Sequence, residues 1–519
     1  MGRFLRRCAL AIGRFLRRWF KPVFFTLVCF VTIIALFIAE ENYRTGKAWE
    51  KYQADARARG EKLTLAELAP PPVPDDQNFV MAPLIKSIFL KPTEGSPSIN
   101  PPSLSDLKNH DDYPQGSLGF WQIAQKADLT PWKDYLQPSD LLTAFKKLEP
   151  AMAEISAAIR RPYSRFPGPS DLKPPPSTST ASVAQFVSMH GFSKLGPLIE
   201  LSRLFKLRAL AELDAGQSDR ALDDAITSLR LARALDSDLQ MLSTLTEVAQ
   251  FGIATQVVWE GLAADRWNND QLTTLQQELQ KIDLFPEFQL SLESERAFYM
   301  RNLAGVKTRG ILERYKSSSN TFSMMSGAPD LELSIKASLL AAALTPSFVL
   351  NRANLEIAGY FDLLLPSINI SARKIDPLVG KASKEFAAEL TEERSKWLHP
   401  QAVYEAGLLN SYSILRTFAQ SQSSLDEAIV ACALERFKIE HGDYPANLNE
   451  LVPQFIEKLP RDVVNGEPLH YQRTPDGRYM IYSVGWDMQD DHGVSVDYNR
   501  SDERGDWVWQ YSPAKIWGR

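Results

Sequence analysis

The sequence predicts a mainly α-helical protein with a single N-terminal transmembrane helix, a helical-hairpin body and a small C-terminal α+β domain carrying an antiparallel sheet. Three observations lead there: a charge-free run near the N-terminus, helical periodicity through the middle of the chain, and alternating segments with turn residues after residue 440. A chain of 519 residues is too long for one ordinary core, and 44% hydrophobic with 23% charged residues excludes global disorder. The reading divides it into a basic segment (1–21), an anchor (22–39), a polar helix with a proline-rich neck (40–182), an α-helical body (183–423) and the α+β domain (424–519).

The anchor comes first. Pro22–Ala39 is 18 residues without a charge, and at 1.5 Å per residue it spans roughly 27 Å, close to the ~30 Å hydrocarbon core of a bilayer. A buried core helix would carry a polar face, which this run lacks. A cleaved signal needs small residues before the cut, and Phe37-Ile38-Ala39 places Phe there. Arg17-Arg18 loosely resembles a twin-arginine export signal, but the run that follows is very apolar and again has no good cleavage site. An uncleaved signal anchor in the lipid bilayer fits best. Residues 1–21 carry seven positive side chains and no acid, so the −5 of the whole chain leaves −12 on the remainder. The basic flank belongs in the cytoplasm and the bulk of the chain beyond the membrane. The acidic remainder would repel phosphate, so nucleic acid is not an expected partner. Gly-Arg-Phe-Leu-Arg-Arg occurs at Gly2–Arg7 and again at Gly13–Arg18. Both copies could meet anionic headgroups on one helix face, or serve only as a topogenic flank.

Residues 42–69 read as a polar helix ending at Pro70-Pro71-Pro72. Twenty of the 33 prolines lie between residues 70 and 197, which predicts extended connections with short helices such as 138–160. Phe120, Trp121, Trp132 and Tyr135 argue that this neck docks on something. Beyond it, Leu201, Leu204, Leu207 and Ala211 form one helical stripe, and Leu222, Ala225, Ile226, Leu229 and Ala232 the next. Gly216 stops the first helix, and Ser218 is placed as a cap before the second. This hairpin, at about 199–235, resembles one tetratricopeptide-type unit; a single copy falls short of the three or more such arrays need. The Asp223/Asp224 pair falls on the exposed face. An apolar run at Ser338–Leu350 suggests a buried helix pair, and 352–368, 376–396 and 402–420 suggest three more helices. Of three cysteines, Cys8 is assigned to the cytoplasm and Cys29 to the membrane. Cys432 is left without a disulfide partner and is expected to be buried.

In the C-terminal module, Leu425, Ile429, Ala433 and Phe437 recur every four residues, with Asp426, Glu427, Glu435 and Lys438 mainly on the other side. The helix ends at His441-Gly442, and a short helix follows at Asn447–Val452. Strands are predicted near 468–473, 478–483 and 506–511, with Asp476-Gly477 as the hairpin turn. The order Ala433-Leu434-Glu435-Arg436-Phe437, Glu440-His441-Gly442-Asp443-Tyr444-Pro445, Leu459-Pro460-Arg461-Asp462, Asn465-Gly466-Glu467-Pro468 and Ile481-Tyr482-Ser483-Val484-Gly485 resembles the C-terminal domain of the major pseudopilin of bacterial type II secretion systems. The likeness covers about residues 424–511. Pseudopilins begin with a processing site and an early Glu, which this apolar run lacks, and their anchor runs straight into the head. Here residues 40–424 intervene, so packing into a pseudopilus is not expected. The resemblance implies a calcium ion in the loop after the Tyr-Ser-x-Gly strand, with Asp487 and the Val484 carbonyl as best-matched ligands and Asp490 and Asp491 beside them. Asp497, Asp502 and Asp506 lie beyond. A solvated acidic turn is the alternative, and His470 and His492 match no closed zinc set.

No helical zinc motif, phosphate loop, dinucleotide fingerprint or Cys-x-x-Cys is present. Gly191-Phe192-Ser193-Lys194-Leu195-Gly196 has one residue too many for a nucleophile elbow; His190 beside it is a weak candidate base. The expectation is a non-enzymatic scaffold in the bacterial inner membrane, its bulk periplasmic, meeting other envelope proteins and linked to secretion through its head. The competing expectation is a hydrolase-type envelope enzyme whose site is assembled from the helical body. A deep pocket with convergent polar groups would favour the enzyme, and an open groove the scaffold.

Overall fold

The apolar run lies within one long helix, α1 (Gly2–Ala58), which continues through Pro22. Its side chains from Val23 to Phe37 are largely exposed, and the helix is long and apolar enough to cross a membrane. The computed structural model describes residues 2–89, 138–166, 194–304, 346–395, 402–495 and 504–510. The aromatic residues of the neck, His190, Ser193 and most of the 338–350 run therefore lie outside the described residues. The chain forms two compact units, one of residues 1–63 with 298–359 and the other of 64–297 with 360–519. In the first, the Asn42 side chain accepts from the Phe348 amide at 2.6 Å, and the Phe37 and Phe348 rings meet edge to face.

The second unit is mainly helical with small sheets. Short helices α2 (Leu65–Leu68), α3 (Pro83–Phe89), α4 (Pro138–Phe145) and α5 (Glu149–Ala158) precede its body. The one helix expected over 138–160 is thus two. The body comprises α6 (Leu195–Asp214), α7 (Ser218–Ala232), α8 (Met241–Ala263), α9 (Asn269–Gln280) and α10 (Leu284–Ala304), whose last residues belong to the first unit. Gly216, at φ +73°, makes the left-handed turn between α6 and α7 that a side chain would strain. Ser218 is not the cap: it is the first residue of α7, and its hydroxyl accepts from Gln271. Asp223 is exposed as expected, but Asp224 is buried and holds Arg208 through two hydrogen bonds of 2.7 and 2.6 Å. The helix face it occupies is covered by α6, which periodicity within α7 alone does not reveal.

Helices α11 (Ser347–Leu364), α12 (Pro377–Ser395) and α13 (Ala402–His441) follow, with a two-residue ladder, β1 (Ile368–Asn369) and β2 (Lys374–Ile375), between the first two. Helix α13 packs on α8, α9 and α12, and also on the C-terminal sheet. From Leu425 to Glu435 it is buried on every side, Cys432 included. The face read as polar is thus covered: Asp426 is 3% and Glu427 2% exposed. Asp426 accepts from Gln422 and Arg373, Glu427 from Ser423, and Glu435 from the Tyr444 hydroxyl at 2.7 Å. Their polarity serves internal partners rather than water.

The sheet order is β3 (His470–Arg473), β4 (Tyr479–Ser483), β5 (Trp507–Gln510), all antiparallel, with Tyr471 opposite Ile481 and Ile481 opposite Trp509. Asp476-Gly477 turns β3 into β4 as the dipeptide predicts. Strand β4 is buried along its whole length, between α13 and its neighbouring strands.

Candidate functional site

Three places bring polar side chains together. The first is the acidic loop of the C-terminal module. Trp486, 2% exposed, anchors it by donating its indole N–H to the Tyr412 hydroxyl at 2.8 Å. Gly485 adopts φ +71°, and a Cβ there would stand 2.2 Å from the Gly505 carbonyl oxygen, so two backbones touch where a side chain has no room. Asp487 accepts from the Gln489 amide. Asp490 accepts from the His492 amide at 2.9 Å and the Tyr482 hydroxyl at 3.2 Å, and the first of these holds its carboxyl below the usual range. The Asp491 amide donates to Asp506, as does the Gly493 amide at 2.6 Å. The Val484 amide donates to Asp462 at 3.0 Å. These carboxylates brace the loop itself; Asp497 and Asp502 lie outside the described residues.

The second is an open groove where body meets sheet, enclosing about 390 Å³ among α8, α13 and β5. Trp259 and Trp509 flank it with Phe251, and Thr255, Gln256, Thr417, Gln420, Ser421 and Ser424 supply neutral hydrogen-bonding groups. Trp259 donates to the Gln510 carbonyl, which ties α8 to the edge strand.

The third is buried in the body and was not read from the sequence. Asp236, in the turn before α8, Glu247 in α8 and Glu287 at the start of α10 place carboxyl oxygens within 4.8 Å of one another. Among the described residues this set of three forms here, and not in the C-terminal loop. Burial first, then the charges of Glu287 and Asp236, raise the Glu247 carboxyl well above its ordinary value. Burial and the Asp236 charge push Glu287 up to about 8. Burial raises Asp236 too, against the pull of Arg233, whose guanidinium lies 3.2 Å away. The available signal was Glu247 itself, since α8 carries only one other charged residue, Glu260.

No family model matches the chain, and no curated protein or solved structure matches it. The functional reading therefore stands on the geometry.

A further set, between α6 and α7, pairs its buried carboxyls with arginines, of which Arg220 is half exposed and also meets Glu149. Arg208 and Arg220 face Asp224 and Glu212, with Arg220 3.1 Å from Glu212, whose carboxyl is pushed up to about 7 by burial and by the Asp224 charge. The Asp236–Glu247–Glu287 set has one guanidinium against three carboxyls.

Proposed function

We propose that the protein is a membrane-anchored, non-enzymatic scaffold of the bacterial envelope. In this reading α1 crosses the inner membrane through residues 22–39, its basic end is cytoplasmic, and the remainder stands in the periplasm. Its C-terminal module is a pseudopilin-like head that meets other envelope proteins, with a link to protein secretion. The observation that carries the reading is α13. One continuous 40-residue helix packs against both body and sheet, which fixes the head to the body rather than leaving it a subunit free to pack into a fibre. The open groove at that junction, lined by aromatic and neutral polar groups, supports a contact surface over a deep catalytic pocket.

The test is site-specific photocrosslinking in intact membranes from Ser421 in the groove, with exposed Asp223 as the control position. Adducts to an envelope protein from Ser421 alone are expected. Adducts from Asp223 but none from Ser421 would overturn the scaffold reading of this face. A reporter fused after Arg519 should be active only outside the cytoplasm. Calcium held by Asp487 and the Val484 carbonyl, with Asp490 and Asp491, belongs to the same proposal. Melting of the full chain in detergent with and without calcium, for the natural sequence and Asp487→Asn, checks it.

A further inference from the structure

We propose that Asp236, Glu247 and Glu287, with the Ser243 hydroxyl, form a divalent-cation site of the calcium class inside the helical body. The site is separate from the C-terminal loop and independent of the scaffold reading.

Four observations converge. The three carboxyl groups come from three different elements, and their oxygens lie within 4.8 Å of one another. Two oxygens bound to one calcium at 2.3–2.6 Å stand at most about 5 Å apart, so oxygens this close can share one ion. Second, among the described residues no N–H or hydroxyl donates to the buried Asp236 Oδ1 or Glu247 Oε1; Glu247 is only 2% exposed, and what faces it is the other two carboxyls.

Third, Ser243 Oγ is likewise buried with no hydrogen-bond partner among the described residues, and the residue is fully enclosed. Ser243 sits one turn before Glu247 on the same face of α8. Residues four apart share one helix face, so the Ser243 hydroxyl lies on the side of α8 that carries the Glu247 carboxyl. A buried hydroxyl oxygen with no partner is costly, and a cation would engage one of its lone pairs. Gln240 Oε1, in the turn leading into α8, is also a buried oxygen with no hydrogen-bond partner among the described residues. The donor set is therefore all oxygen, which selects a hard cation over zinc or copper.

Fourth, the elements are pinned around the spot. Ser291, one turn after Glu287 in α10, donates to Met241 Sδ at the first turn of α8. Three carboxylates facing one guanidinium must either bind protons or bind a cation. A divalent ion would offset the excess negative charge and satisfy the orphaned oxygens together; waters complete its shell.

The experiment uses the full chain in detergent, stripped with chelator and dialysed. Bound calcium is counted by equilibrium dialysis, and thermal unfolding is followed with calcium, magnesium and manganese at pH 8. Calcium is expected to raise the melting temperature, and Glu247→Gln and Glu287→Gln should each weaken the body-site affinity by roughly tenfold or more. Asp487→Asn and Asp490→Asn should leave that binding intact, which separates this site from the C-terminal loop. Should Glu247→Gln fail to fold, Glu287→Gln, at a less buried position, still decides. Calcium binding that survives both glutamine variants, or is lost only in the loop variants, overturns the proposal. So does a protein that binds no divalent ion and is merely stabilised by acid, for the carboxyls would then share protons alone.

Discussion

Asp224 and Arg208 show how much one residue's role depends on its neighbour. Both are nearly enclosed, with side-chain exposures of 3% and 10%. Replacing Asp224 with Ala strands a buried guanidinium and is expected to cost about 3–5 kcal/mol in urea unfolding. The double variant Arg208→Met/Asp224→Leu should recover much of that loss, because both buried charges leave together. Gly485 is a second such position. Gly485→Ala combines a positive φ with a clash against the Gly505 carbonyl, so a loss of about 1–3 kcal/mol is expected, readable as a lower denaturation midpoint. The left-handed turn at Asp476-Gly477 could be read from two adjacent letters. The need for Gly at 485 could not, since it arises from the Gly505 carbonyl, twenty residues later and just ahead of β5.

At the scale of elements, periodicity found the helices and strands but not what covers them. The predicted strands near 468–473, 478–483 and 506–511 match β3, β4 and β5 within two residues at either end, because alternation and turn residues act locally. Helix α13 was legible as amphipathic, yet its polar stripe is buried against body residues distant in sequence. Arg436 donates to Gln276 at 2.8 Å, 160 positions earlier, and Gln276 donates to the Phe455 carbonyl. Trp486→Phe removes the indole donor to Tyr412 while keeping an aromatic ring of similar shape. It is expected to lower stability by about 0.5–1.5 kcal/mol, and limited proteolysis should then open the 485–493 loop sooner. The carboxyl set in the body escaped sequence reading for the same reason. Its members stand at 236, 247 and 287, at no spacing that any motif describes.

Across the whole molecule, buried carboxyls held above their ordinary values shape the response to pH. Burial pushes Asp426 up to about 6, despite Arg373 beside it, Glu212 up to about 7 and Glu287 up to about 8. Each keeps a proton in the folded chain that it has lost in the unfolded chain once pH exceeds the usual carboxylate range. Between that range and pH 8 the folded state binds more protons, so stability falls as pH rises, by about 1.4 kcal/mol per pH unit for each such proton. Urea midpoints in chelator are expected to be higher at pH 5 than at pH 8, with the Glu287→Gln variant showing a shallower slope. A cation in the body site would flatten the profile at the alkaline end, where it competes best with protons.

Helix α13 also sets an order of assembly. Residue 424, where the sequence pattern places the start of the C-terminal module, falls in the middle of this helix, and the helix's buried partners include Leu284, whose amide donates to Gln422 138 positions later. Trp259 and Gln510 are 251 positions apart. Contacts over such separations form late, because long loops must close before they reward closure. A chain emerging N-terminus first would complete its helical body while the last hundred residues are still to come. During that interval the seat for α13 stands open, with the surfaces of α8 and α9 that will cover it temporarily wet and adhesive. Truncation ahead of α13 is therefore expected to leave the faces of α8 and α9 that it covers open to water, readable as aggregation of the shortened chain.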